Sequence, residues 1–112
     1  MYMIGNVKLT IEKVENLPMP LIYLATAEDL ARWQVDQLRW AYEHGERRLN
    51  LSCFDTAGMG FDICDAAPVV LRAVMEFVQA RGDVERLSVV CGDEASFRAY
   101  SRRLVEHTAA EQ

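Results

Sequence analysis

The chain has 112 residues, enough for one domain that buries a core without disulfides or metals. Hydrophobic residues make up 51% and charged residues 26%, the balance of a folded globule rather than a disordered chain. The net charge of −5 argues against a nucleic-acid backbone or an anionic membrane as partner and leaves open only a local basic patch.

The N-terminus, MYMIGNVKL, has no basic region followed by an apolar run, so no signal peptide is expected. No apolar run approaches the ~18–20 residues that span a bilayer. Cys53, Cys64 and Cys91 are an odd number with no CxxC spacing. The simplest reading is a reduced, cytoplasmic protein with no metal or cofactor.

Val7–Val14 alternates Val7, Leu9 and Ile11 with Lys8, Thr10 and Glu12. Period-2 alternation predicts a strand with one wet face, placed as an antiparallel edge. Pro18 and Pro20 break it. The unalternating run Leu21–Ala25 then predicts a strand covered on both faces. Thr26, with Asp29 three residues on, predicts a helix start, and the helix runs from Ala27 to His44 and stops at Gly45.

On that helix Ala27, Ala31, Val35, Leu38 and Tyr42 form a stripe at ~100° per residue, widened by Leu30 and Ala41. Trp33 and Trp40 lie a heptad apart on the other side, with Asp29, Asp36 and Glu43. Two tryptophans on a wet face are candidate interface anchors, and the alternative is a second helix covering them.

Arg48–Phe54 predicts the next strand. A helix then starts near Asp65, with Pro68 in its first turn, and ends at Gly82. Arg86–Cys91 predicts a further strand, and Asp93 caps a last helix with Phe97, Tyr100, Ser101 and Leu104 inward. The expected fold is α/β: a single mostly parallel sheet of about four strands with three helices, in the order β-β-α-β-α-β-α. Residues 1–107 make the domain and 108–112 a frayed tail.

In such a fold the loop after the third strand, around Thr56, Ala57, Gly58, Met59, Gly60 and Phe61, sits at the carboxyl ends of the strands, where ligands bind. Glycines let backbone amides approach a phosphate, and the following helix offers its N-terminal amides. Asp55, Asp62 and Asp65 oppose this, because three carboxylates repel an anion unless a metal ion intervenes or they point away; the alternative is that Asp62 or Asp65 caps the helix, Gly58 and Gly60 make the turn, and nothing binds. Cys64, before a helix, is a candidate for a lowered pKa. His44 and His107 fall near helix C-terminal ends, with surface roles expected. No Ser/His/Asp order, HExxH or GxxxxGK[ST] is present, so no catalytic residue is assigned.

From Leu38 the chain reads LRWAYEHGERRLNLSCFDTAGMGFDICDAAPVVLRAVMEFV and then VERLSVVCGDEASFRAYSRRL. This resembles the C-terminal half to two-thirds of a macro domain, the ADP-ribose-binding fold. The resemblance implies that Thr56–Phe61 form the loop that holds the distal ribose and phosphates. The asparagine-rich adenosine site, the second glycine loop and the catalytic asparagine of that family have no counterpart here. What it implies is therefore binding of a nucleotide or ADP-ribose-type ligand without catalysis.

The element order also resembles a STAS domain, the anti-sigma factor antagonist fold. There an Asp-Ser-Ser-Gly-like motif after the third strand carries a serine phosphorylated by a partner kinase. Asp55-Thr56-Ala57-Gly58 stands in that place, with Thr56 its only hydroxyl. That resemblance implies a non-enzymatic interaction module, meeting a protein partner or a second copy through the Trp33/Trp40 face.

Overall fold

The computed structural model describes residues 2–111, with side chains through Glu106. The chain opens on a hairpin of β1 (Tyr2–Ile4) and β2 (Val7–Lys13). Gly5 has φ +58° at the first central position of the two-residue turn, where a type II′ turn needs glycine. Then come α1 (Ala27–Glu43), β3 (Arg48–Cys53), a 3₁₀ turn at Ala57–Met59, α2 (Ile63–Gln79), β4 (Arg86–Cys91) and α3 (Glu94–Glu111). The tail expected to fray over 108–112 lies outside the residues whose side chains are described.

The four strands form one sheet in the order β1-β2-β4-β3. β1 and β2 are antiparallel, while β2, β4 and β3 are parallel. The α/β class and the order β-β-α-β-α-β-α hold, but two elements differ from expectation.

Val7–Lys13 is not an antiparallel edge. It is an inner strand, flanked by Tyr2–Ile4 and β4. Leu21–Ala25 is not a strand: Leu21 is fully exposed and Tyr23 is 76% exposed, while only Ile22 and Leu24 pack on the core. Pro18 and Pro20 take two ladder donors from the chain leading into it. The outer side of β3 is also engaged, because Gln34 Nε2 on α1 donates to the Ser52 carbonyl at 2.7 Å.

The register sets the two faces. Leu9, Leu87 and Leu49 make one cross-strand row, and Ile11, Val89 and Leu51 the next. All but Ile11 are buried to within 1% exposure, and the helices cover this face. α2 packs against both α1 and α3 and contributes nine buried residues to the core. The opposite face carries the polar alternates, from Lys8, Arg86 and Arg48 to Thr10, Ser88 and Asn50, and stands open.

The helix starts follow from their caps. Thr26 Oγ1 accepts from the Asp29 amide at 3.1 Å, and Asp93 Oδ1 from the Ser96 amide at 2.7 Å. Asp62 Oδ1 accepts from the Cys64 amide at 2.8 Å, so α2 begins two residues before Asp65. Pro68 consequently lies inside the helix rather than in its first turn, where it removes one backbone donor. Among the described residues, no helix is long and apolar enough to cross a membrane.

Candidate functional site

At the carboxyl ends of the parallel strands the chain closes on itself. Val14 N–H donates to the Cys91 carbonyl at 2.9 Å, and Gly92 N–H to the Cys53 carbonyl at 3.0 Å. Asp93 Oδ2 accepts from the Asp55 amide at 2.8 Å, so one carboxylate ties the loop after β3 to the start of α3. Leu17 lies across this edge. A Cβ added at Gly92 would come within 2.9 Å of the Leu17 Cβ, a separation real side chains do not tolerate.

The loop itself is held from within. Thr56 is fully buried, and its hydroxyl donates to the Phe61 carbonyl at 2.8 Å, closing the turn like a clasp. Met59 is buried beneath it and Phe61 is half-buried. Ala57, Gly58 and Gly60 face outward. Gly60 has φ +92°, the left-handed region that favours glycine, whereas Gly58 has no such demand and open space around it. The six loop residues are thus together, but they divide into an inner scaffold and an outer rim.

The three aspartates are placed to different ends. Asp55 Oδ1 accepts from the Ala57 amide at 3.2 Å, and Asp62 caps α2. Asp65 is exposed on the first turn of α2, where a carboxylate suits the helix dipole. Among the described residues no group of three His, Cys, Asp or Glu side chains is placed to hold a metal ion. Asp55 and Asp62 serve the backbone, while Asp65 and the rim at Ala57, Gly58 and Gly60 face outward.

Two buried thiols lie directly below. Cys53 and Cys91 are register partners at the strand ends, both fully buried, beside the fully buried Tyr100. Burial pushes the Cys53 thiol and the Tyr100 phenol well up. The Tyr100 hydroxyl meets no oxygen or nitrogen partner, and the Cys53 sulfur is its polar neighbour. Cys64 departs from expectation. Its thiol is pushed up rather than down, first by desolvation and then by the Asp62 carboxylate that caps the same helix end. Desolvation, joined by the anionic capping group, outweighs the dipole effect.

The tryptophan pair separates. Trp33 is half-buried, edge-on to Phe54 with ring centroids 6.0 Å apart. Trp40 is 62% exposed and stacks on His44 at 3.9 Å. A heptad spacing gave both residues one side of α1, but Trp33 reaches the end of β3 and Trp40 lies two turns beyond it. Thr56 is also unsuited to be a phosphoryl acceptor, since its hydroxyl is buried and spent on Phe61. Gln34 and Ser96, both buried polar residues, carry structural hydrogen bonds that periodicity alone did not single out.

A region of this chain is 32% identical over 77 residues to a protein described as "Macro domain-containing protein in gbd 3'region" from Cupriavidus necator. The aligned stretch is 69% of this chain and 44% of that protein, so the chain spans less than half of the relative's length. No family model matches the chain, and no solved structure matches it. The similarity makes this a macro-domain-like α/β protein.

Proposed function

We propose that this chain binds an ADP-ribose-type nucleotide at the outward rim of the Thr56–Phe61 loop, and that it does so without turning the ligand over. The observation that carries the reading is the similarity to a macro domain-containing protein, joined to the loop's position at the carboxyl ends of parallel strands. A diphosphate would approach the backbone at Gly58, where no side chain stands in the way. Asp55 and Asp62 each spend a carboxylate oxygen on a backbone amide, which offsets part of the negative charge an incoming anion meets. Catalysis is left out because no nucleophile–base pair is placed at the loop among the described residues: the Cys53 and Cys64 thiols are pushed up, and the Cys91 thiol, lowered by its hydrogen bond with Cys53, is buried beneath the strand ends.

The test is a thermal-shift titration with ADP-ribose, ADP, ATP and GTP, with and without magnesium. Ligand at 100 times its dissociation constant adds about 2.7 kcal/mol. ADP-ribose is expected to raise Tm, and Gly58→Val to remove that shift with little change in the unliganded Tm. A full shift in Gly58→Val, or no shift with any nucleotide, overturns the reading.

A second reading rests on Trp40. An exposed indole stacked flat on His44 is an apolar plate with a fixed orientation, which suits contact with a protein partner or a second copy. Trp40→Ala is expected to change the mass in solution or lose a partner without loss of fold. An unchanged mass and unchanged partners would end this reading.

A further inference from the structure

The open face of the sheet carries an arrangement that strand pairing alone disfavours. Lys8, Arg86 and Arg48 are direct register partners on β2, β4 and β3. All three point to the uncovered side. Like charges opposite one another on neighbouring strands repel and destabilise the ladder. Only Arg48 is relieved, by Glu85 at 3.2 Å. Asp83, the other nearby acid, is taken by Arg47 at 2.7 Å and by the Tyr42 hydroxyl at 2.6 Å. Lys8 and Arg86 meet no carboxylate among the described residues. The row lines a depression of about 470 Å3 at the starts of the strands.

We propose that this row is a binding site for a short chain of phosphate groups, the chemistry shared by inorganic tripolyphosphate and the tail of a nucleoside triphosphate. Strand spacing sets the Cα atoms of the three cationic residues in a row at intervals of roughly 4.8 Å, an extended array that suits charges strung along a chain better than a single anion. Two of the three are arginines, whose planar forks fit phosphate oxygens in pairs. The next row on the same face, Thr10, Ser88 and Asn50, adds neutral hydrogen-bonding groups beside the cations. A bound polyanion would cancel the repulsion that the free sheet carries. The site lies at the opposite end of the strands from the Thr56–Phe61 loop and does not depend on it.

The experiment is calorimetric titration of the full chain with tripolyphosphate at low ionic strength, without magnesium. Saturable binding that weakens steeply with salt is expected. Lys8→Gln and Arg86→Gln should each weaken it at least tenfold, and together abolish it. Arg86→Gln should also raise the unliganded Tm at low salt, a gain that a merely structural arginine would not give. In a second arm, ATP binding lost in Lys8→Gln/Arg86→Gln identifies the triphosphate tail as sufficient. ATP binding lost only in Gly58→Val assigns the nucleotide to the loop and inorganic polyphosphate to the face. Absence of saturable tripolyphosphate binding, binding unchanged in the double variant, or equal binding of a glutamate peptide of the same charge would overturn the proposal.

Discussion

Gln34 is buried to 2% exposure and donates its side-chain amide to the Ser52 carbonyl at 2.7 Å. A polar residue in the middle of the buried face of α1 is costly unless it is hydrogen-bonded. This one is, and its acceptor lies on β3, an outer strand of the sheet. The bond therefore positions α1 along the strand and occupies an edge group that would otherwise invite pairing with another chain. Gln34→Ala leaves both a void and an unmet carbonyl. It should cost about 2 kcal/mol in urea unfolding, within the usual range for a buried group losing its partner. A change below ~0.5 kcal/mol would mean that water replaces the amide at no cost.

How far the sequence reveals this fold depends on which residues carry a periodic signal. Val7–Lys13 is where alternation placed a strand, and Arg48–Cys53 and Arg86–Cys91, also expected as strands, alternate in burial because one face is covered and the other wet. Leu21–Ala25 misled because an apolar run is ambiguous. Two of its side chains do pack on the core, but behind two prolines the segment pairs with no strand. Tyr2–Ile4 is only three residues long, too short to show a period, although Gly5-Asn6 between two apolar runs is a hairpin signal. At the loop, the glycines were legible, and so was an aspartate cap, though not which of Asp62 and Asp65 supplies it. The inward role of Thr56 was not, because no local pattern tells a hydroxyl that closes a turn from one that meets a ligand. That the helices cover one face of the sheet only was equally hidden, since element order does not fix it.

Gly92 and Leu17 offer a direct probe of how the connection over the strand ends is seated. The glycine has no positive φ, so the constraint there is space rather than backbone conformation. A methyl group at 92 must displace the Leu17 Cβ, which is anchored to the backbone. Gly92→Ala should therefore cost about 1–3 kcal/mol, the usual range for overpacking. The coupling decides the cause. In a Leu17→Gly background the same substitution should cost markedly less, a non-additivity that a double-mutant cycle in urea reads directly. Equal costs in both backgrounds would place the strain elsewhere.

Tyr42 and Asp83 give the pH dependence two limbs from one contact. The Tyr42 hydroxyl donates to Asp83 Oδ1 at 2.6 Å, and Arg47 Nε to Oδ2 at 2.7 Å. The Asp83 carboxyl is held below its ordinary value, chiefly by the Tyr42 hydrogen bond and then by Arg47. The same bond to Asp83 pushes the Tyr42 phenol above its ordinary value. For Asp83 the folded pKa is the lower one, so its contribution is complete above about pH 4 and is lost as pH falls through the depressed value. For Tyr42 the folded pKa is the higher one, so its contribution is complete below about pH 10 and is lost as pH rises through the raised value. Asp29, lowered first by its Arg32 hydrogen bond, and Glu94, lowered first by its Lys13 hydrogen bond, add to the acid limb only. Asp83→Asn keeps an acceptor but cannot titrate. It should reduce the acid limb, leaving the share of Asp29 and Glu94, and reduce the alkaline limb, leaving the share of Cys53, Cys64 and Tyr100, which desolvation also raises. Urea midpoints measured from pH 2.5 to 10.5 would read both limbs. An alkaline limb of unchanged size in Asp83→Asn would show that the Tyr42–Asp83 contact contributes nothing to it.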